Sequence, residues 1–199
     1  WGGADVWKVG GKVFAICGHA DGRDTFTFKV GEIAFEVLPE TLGLPYWRVF
    51  AHAGWTYALG MPGQLYRSRD GISGFEAGPV LFTSAMRHSA VAVDGEMLSV
   101  YYTDVGDCPE RILLATVDLR PPWTEWRPTA PATVLEPETA YEGAGLPLKP
   151  SRRGIVHGPV RQLRDPAIFH KAGHSWLLYC VAGESGIAIA ELGPQPLKP

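Results

Sequence analysis

Hydrophobic and polar positions along this chain form short apolar runs broken by glycine-containing turns, and one hairpin pattern recurs. It first reads Arg48–His52, Ala53-Gly54 and Trp55–Leu59. A second copy runs Ser89–Val93, Asp94-Gly95 and Glu96–Tyr102, and a third Ala167–His170, Lys171–Gly173 and His174–Val181, with Gly186–Leu192 as a further strand. Asp94-Gly95 is the best single turn, because Asp-Gly suits the two positive-φ positions of a type I′ hairpin. Third strands are expected at Leu65–Ser68, ahead of the Asp70-Gly71 turn, and at Arg111–Leu119. Fourth strands can be drawn through Pro79–Thr83 and Pro131–Glu136. Three or four antiparallel strands per unit, repeated at irregular intervals, are the signature of propeller blades. A β-sandwich would need regular strand spacing, and the Pro-rich insert from Glu136 to Gln162 fits that poorly.

The first 44 residues differ in detail. Val6–Val9, Gly10-Gly11 and Lys12–Cys17 read as another hairpin, Thr25–Val30 as a third strand and Glu32–Glu40 as a short helix closed by Pro39 and Pro45. Ile33, Phe35 and Val37 also alternate with period two, which is a strand's pattern. The expected fold class is therefore all-β: a partial antiparallel β-propeller, of about three blades, with an N-terminal β-hairpin/short-helix segment.

Composition agrees. The 24 glycines and 17 prolines among 199 residues leave little room for long helices, and 46% apolar side chains suffice for a buried core. With 18 Lys+Arg against 21 Asp+Glu the net charge is -3, and neither end carries a basic block, so nucleic-acid binding by bulk charge is not expected. The longest apolar runs, such as Trp176–Cys180, fall far short of the ~20 residues that span a bilayer, and no leader pattern opens the chain. We expect a soluble, cytoplasmic chain without membrane contact. Cys17, Cys108 and Cys180 form no CxxC pair and read as buried, inert thiols. No metal and no cofactor are expected.

The segments PYWRVFAHAGWTYAL (45–59), YRSRDGISGFEAGP (66–79), MRHSAVAVDGEMLSVYYTDVGDCPERIL (86–113), YEGAGLPLKPSRRG (141–154) and QLRDPAIFHKAGHSWLLYCVAGESGIAIAEL (162–192) resemble the five-bladed β-propeller glycosidase-like families, with arabinanase- and xylosidase-type enzymes. Residues 4–44 instead look like part of an MmcQ/YjbR-like domain, a small α/β module sometimes labelled DNA-binding. Lys8, Lys12, Arg23 and Lys29 there face six acids, which weakens a DNA-binding reading. The resemblances divide the chain into 1–44, an MmcQ/YjbR-like fragment or substitute blade, and 45–199, a glycosidase-like propeller portion. A three-blade arc would expose apolar faces, through which the chain could form a homo-oligomer.

What the resemblance implies is a carbohydrate partner and two carboxyl groups flanking a glycosidic bond. Asp165 opens the third hairpin beside Arg164, which would hold it ionised as a base or orienting carboxylate; alternatively Arg164-Asp165-Pro166 only locks a strand entry. Glu142 is the general-acid candidate, with Gly143 and Ala144 leaving room for a sugar and Tyr141 able to stack on one. Otherwise it is a solvated loop glutamate. Arg87-His88 occupies the position equivalent to Arg164-Asp165, and His88 either contacts substrate or is a satisfied strand-end histidine. Arg48 begins the first hairpin and lines the same channel, or is a surface arginine. Asp70 is read as a turn residue, and Asp104, Asp107 and Glu110 as a solvated acidic loop without a calcium-loop pattern. His170 and His174 lack an HExxH frame, and Glu184-Ser185-Gly186 is no nucleophile elbow. The leading function is a carbohydrate-active, glycoside-hydrolase-like propeller protein. One alternative is a non-catalytic glycan-binding or interaction protein using Trp47, Trp55 and Tyr141 as platforms, and another is an MmcQ/YjbR-like module.

Overall fold

Each recurring hairpin folds as the start of an up-and-down antiparallel meander. The computed structural model describes residues 5–9, 12–20 and 23–28, as backbone, and residues 46–193 in full. Contacts divide the chain into two units, Trp1–Thr41 and Leu42–Pro199.

The N-terminal unit contains β1 (Asp5–Val9), β2 (Lys12–Ala20) and β3 (Arg23–Phe28), paired antiparallel in that order. The register irregularity falls between Trp7 and Lys8. β2 runs past the expected end at Cys17, so a two-residue link joins Ala20 to Arg23. The expected helix over Glu32–Glu40 and the last residues of the expected third strand lie outside the described residues.

Among the described residues the second unit holds three sheets. The first is β4 (Arg48–His52), β5 (Trp55–Gly60), β6 (Gln64–Ser68) and β7 (Glu76–Val80). The second is β8 (Met86–Asp94), β9 (Met97–Asp104), β10 (Ile112–Asp118) and β11 (Ala132–Leu135), and the third β12 (Arg164–Lys171), β13 (His174–Val181) and β14 (Gly186–Leu192). Every adjacent pair is antiparallel, and the only helical turns among the described residues are 3-10 turns at Trp123–Glu125 and Ala140–Glu142. The fold is all-β. β8 packs between β4 and β12, the three first strands lying side by side as blades do around an axis. A cavity of about 220 Å³ at this junction is lined by Arg48, Val49, Ala90, Val91, Ala167 and Ile168.

Turn chemistry sets the hairpin registers. His52 pairs Trp55 and Lys171 pairs His174, leaving Ala53-Gly54 (φ 45°, 74°) and Ala172-Gly173 (φ 52°, 80°) as two-residue loops with both φ positive, the type I′ requirement. The second hairpin departs from expectation by one residue. Asp94 pairs Met97, so the loop is Gly95-Glu96 and only Gly95 (φ 54°) is left-handed, as a type II′ loop requires. β7 also lies earlier than expected, because Gln64 donates to the Gly78 carbonyl at 2.7 Å and Trp123 packs where Gly78 has no side chain.

Period-two alternation explains the two cores. Leu98, Val100 and Tyr102 of β9, with Leu113, Ala115 and Val117 of β10, join Phe50, Tyr57, Leu59, Leu65 and Trp126 in the first. Tyr101 and Ile112 point the other way and meet Leu163, Leu177 and Tyr179 in the second. The middle sheet is thus buried on both faces. The far face of the third sheet is not: Phe169, Ile187 and Ile189 are exposed there.

Polar bonds reinforce the junction between the second and third sheets. Glu110, expected in a solvated loop, is completely buried. Its carbonyl accepts from Leu163 N at 2.9 Å, and it forms an isolated bridge with Gln162. Its carboxylate takes both arms of Arg87, at 2.9 and 2.5 Å, and lies 3.2 Å from Arg164 Nε.

Two variants test these contacts by denaturant unfolding. Glu110→Gln removes the only carboxylate contact of buried Arg87 among the described residues and is expected to cost about 3–5 kcal/mol. Gly78→Ala drives a Cβ into the Trp123 ring and is expected to cost about 1–3 kcal/mol through overpacking.

Candidate functional site

Three residues stand at one equivalent position in the three hairpins. Tyr46, His88 and Asp165 each lie six residues before the last paired residue of their first strand, His52, Asp94 and Lys171. All three have positive φ, 60°, 46° and 47°. In the second and third sheets the cause is a register shift: two residues, His88-Ser89 or Asp165-Pro166, bulge between the paired positions Arg87 and Ala90, or Arg164 and Ala167. A bulge of this kind re-aims a side chain, and left-handed backbone at a non-glycine residue persists only where its surroundings hold it.

The bulged side chains meet. The Tyr46 and His88 rings are edge-to-face with centroids 5.0 Å apart, and His88 Nδ1 lies 3.3 Å from Asp165 Oδ1. Despite that separation Nδ1 is a buried atom without a hydrogen bond. Tyr46 is half exposed, so the cluster opens to solvent on that side.

Electrostatics at the cluster follow from burial and from arginines. Burial, then Arg87, Arg164, Arg48 and Arg153, push the His88 pKa down to about 3, so the ring is neutral at physiological pH. Asp165 shifts the other way. Burial and the nearby Glu184 carboxylate raise it, against a hydrogen bond from the Cys180 thiol and the charge of Arg164. Arg164 pulls it down in the expected sense, but burial and Glu184 outweigh that pull. Arg164 is turned to Glu184 and Gln162, both at 2.7 Å, and to Glu110.

The other expected site residues separate into groups. Arg87 and Arg164 are buried parts of the Glu110 network, and the free arm of Arg87 donates to the Arg152 carbonyl at 2.9 Å. Arg48 donates through Nε to the Ser89 carbonyl, tying β4 to β8, and faces the axial cavity. Glu142 does not stand free as an acid. Its Oε2 accepts from Glu138 N, Thr139 N and Thr139 Oγ1 at 3.1, 2.9 and 2.8 Å, and Oε1 accepts from Tyr179 at 2.9 Å. Burial pushes this carboxyl up, but the combined hydrogen bonds outweigh it and hold it below the ordinary glutamate range. The residue caps the 3-10 turn of Ala140–Glu142. Tyr141 beside it is exposed.

Of the expected aromatic platforms, Trp47 is stacked on Tyr66 and edged by Phe75, and the Trp55 ring is covered by Arg67 and Arg69. Tyr46 has the exposed ring at the cluster. Asp70 is a turn residue, accepting from Ile72 N, Ser73 N and Ser73 Oγ. Cys108 is exposed, contrary to expectation. No group of three His, Cys, Asp or Glu among the described residues is arranged to hold a metal. No helix among them is long and apolar enough to cross a membrane.

No family model matches the chain. Over 167 residues it is 41% identical to an uncharacterized protein of Acanthamoeba polyphaga mimivirus, a match taking in 76% of this chain and 47% of that protein. The chain thus spans about half the length of this relative. A solved structure, Cellvibrio cellulosa alpha-L-arabinanase complexed with arabinohexaose, superposes with a TM-score of 0.49 at 8% identity, covering 92% of this chain and 65% of that one. Nothing among these comparisons supports the MmcQ/YjbR-like resemblance of residues 4–44.

The state of His88 is testable. Its folded pKa of about 3 lies below the ordinary 6.5, so between those values the unfolded chain binds a proton that the folded chain does not. The stability that follows is complete above pH 6.5 and is lost as pH falls toward 3. Raised Asp165 opposes this, favouring the folded state on the acid side of its own titration. His88→Asn, which tolerates positive φ, is expected to flatten the fall in melting temperature across that window. An imidazole resonance of His88 titrating between pH 5 and 8 would show the ring is not held neutral.

Proposed function

We propose that the chain is carbohydrate-active and holds a saccharide against Tyr46, His88 and Asp165. The reading is carried by the buried, unbonded Nδ1 of His88 beside a half-exposed aromatic ring. An orphaned buried nitrogen is costly unless a partner arrives to satisfy it, and a sugar hydroxyl can donate or accept there. A saccharide also presents an apolar ring face that stacks on an aromatic side chain while its hydroxyls reach polar groups. Asp165 supplies a second contact, as an acceptor for a sugar hydroxyl.

A second reading, glycoside hydrolysis, rests on the carboxyl groups. Burial and then Glu184 shift the Asp165 carboxyl upward, the direction a general acid needs, while Glu184 pairs with Arg164 at 2.7 Å. In this reading Asp165 takes the proton-donating role and Glu142 none, because Glu142 is engaged as a cap.

Titration calorimetry with arabino- and xylo-oligosaccharides tests the binding reading. Saturable binding, weakened roughly 10-fold in Tyr46→Ala by loss of the stacked ring, is expected. Absence of binding to every saccharide would overturn it. For hydrolysis, arabinan- and xylan-type aryl glycosides are expected to be cleaved by the parent and by Glu142→Gln but not by Asp165→Asn. Equal turnover by Asp165→Asn would remove that role.

A further inference from the structure

Charge is unevenly distributed along this chain. From Gly143 to Arg164 there is no aspartate or glutamate, but there are Lys149, Arg152, Arg153, Arg161 and Arg164, in a protein whose net charge is -3. This segment folds around a cavity of about 560 Å³ lined by Lys149, Arg152, Arg153, His157, Gln162 and Arg164 among others, with no carboxylate in its wall. Arg164, in its wall, is fully buried, hydrogen-bonded to Glu184 and Gln162 and ion-paired with Glu110. The rim is different. Lys149, Arg152 and Arg153 are exposed and have no carboxylate partner among the described residues; the Arg153 guanidinium contacts only the Ser84 carbonyl and Met61 Sδ. Three unneutralised cations around one concavity repel each other until an anion enters.

The cavity adjoins the axial cluster. Arg164 lines it and immediately precedes Asp165. Arg153 is close enough to His88 to depress its protonation, and Arg87 holds the Arg152 carbonyl at 2.9 Å. A ligand seated on Tyr46 and His88 can therefore extend a substituent toward Arg152 and Arg153. We infer that the saccharide this site takes is acidic, carrying an oxyanion that enters the cavity rimmed by Lys149, Arg152 and Arg153. Guanidinium groups bind carboxylate, sulfate and phosphate oxygens through paired charge-assisted hydrogen bonds, which matches this rim and leaves neutral sugars without a counterpart there.

The inference rests on the saccharide reading, and calorimetry separates their failures. The probes are a neutral xylo-oligosaccharide, a tri-uronate, a sulfated disaccharide, glucose 6-phosphate, inorganic phosphate and a short DNA duplex. An acidic saccharide is expected to bind at least roughly 10-fold more tightly than the neutral one, with affinity falling as salt rises. The probe that binds most tightly identifies the oxyanion. Arg152→Ala and, separately, Lys149→Ala are expected to cut that preference while leaving neutral binding and the melting temperature unchanged, since both side chains are exposed. Equal affinity for neutral and acidic saccharides overturns the inference but not the saccharide reading. No saccharide bound overturns both. Inorganic phosphate binding as tightly as the sugar phosphate means an adventitious ion only, and tighter binding of the duplex means a nucleic-acid surface; either result overturns the inference.

Discussion

The buried carboxylate of Glu110 is the contact on which the rest of the second unit depends. It lies between two buried guanidiniums, Arg87 at the start of the second sheet's first strand and Arg164 at the start of the third's. Desolvating three charges is unfavourable unless each is matched, and here the arginines find further acceptors in Arg152, Glu184, Gln162 and Gly154. Apolar packing holds the same sheets together, but hydrophobic contact is non-directional and does not specify which residue of β8 faces which of β12. A fork of guanidinium on carboxylate does. The ion network therefore fixes the relative placement of the two strand starts.

That placement is what assembles the candidate site. His88 follows Arg87 and Asp165 follows Arg164, so anchoring the arginines inward leaves the next residue at each bulge to turn toward the axis. The two functions of the arginines are inseparable in space. They stabilise the sheet junction through Glu110, and after burial their positive charge is what disfavours protonation of His88, while burial and then Glu184 raise Asp165. A neutral imidazole both donates and accepts hydrogen bonds and the Asp165 carboxyl accepts them, which is what a hydroxyl-rich ligand needs.

Strands were largely legible in the sequence, because one-residue alternation and Gly-containing turns are local. The β4 and β13 boundaries follow directly from them. Register within the Asp94-Gly95 hairpin was not, since an Asp-Gly pair fits a loop whether Asp is its first residue or its last strand residue. β7, with Glu76, Gly78 and Pro79, carries little strand propensity and is placed by contacts with Gln64 and Trp123 from elsewhere in the chain. Burial of Glu110 was illegible for the same reason. A lone acid beside Asp107 in a Pro-containing loop reads as solvated until its two arginine partners, on different sheets, are known.

The site shows which signals were present and passed over. Matching hairpins by residue type aligns Arg48 with Arg87 and Arg164, whereas counting back from each turn aligns Tyr46 with His88 and Asp165 and puts Arg48 level with Ala90 and Ala167. The count is the physical quantity, because antiparallel pairing from a two-residue loop fixes where each residue lies along the axis, while residue type does not. Glu142 had a local signature too: Thr139-Ala140-Tyr141-Glu142 is a capping-box sequence, and a carboxylate that closes such a box accepts backbone hydrogen bonds that favour its ionised form. A proton donor needs the opposite environment, one in which burial is not offset by donors. Among the candidate carboxyls Asp165 has that environment: burial and Glu184 outweigh the Cys180 thiol and the charge of Arg164, whose guanidinium is directed at Glu110 and Glu184.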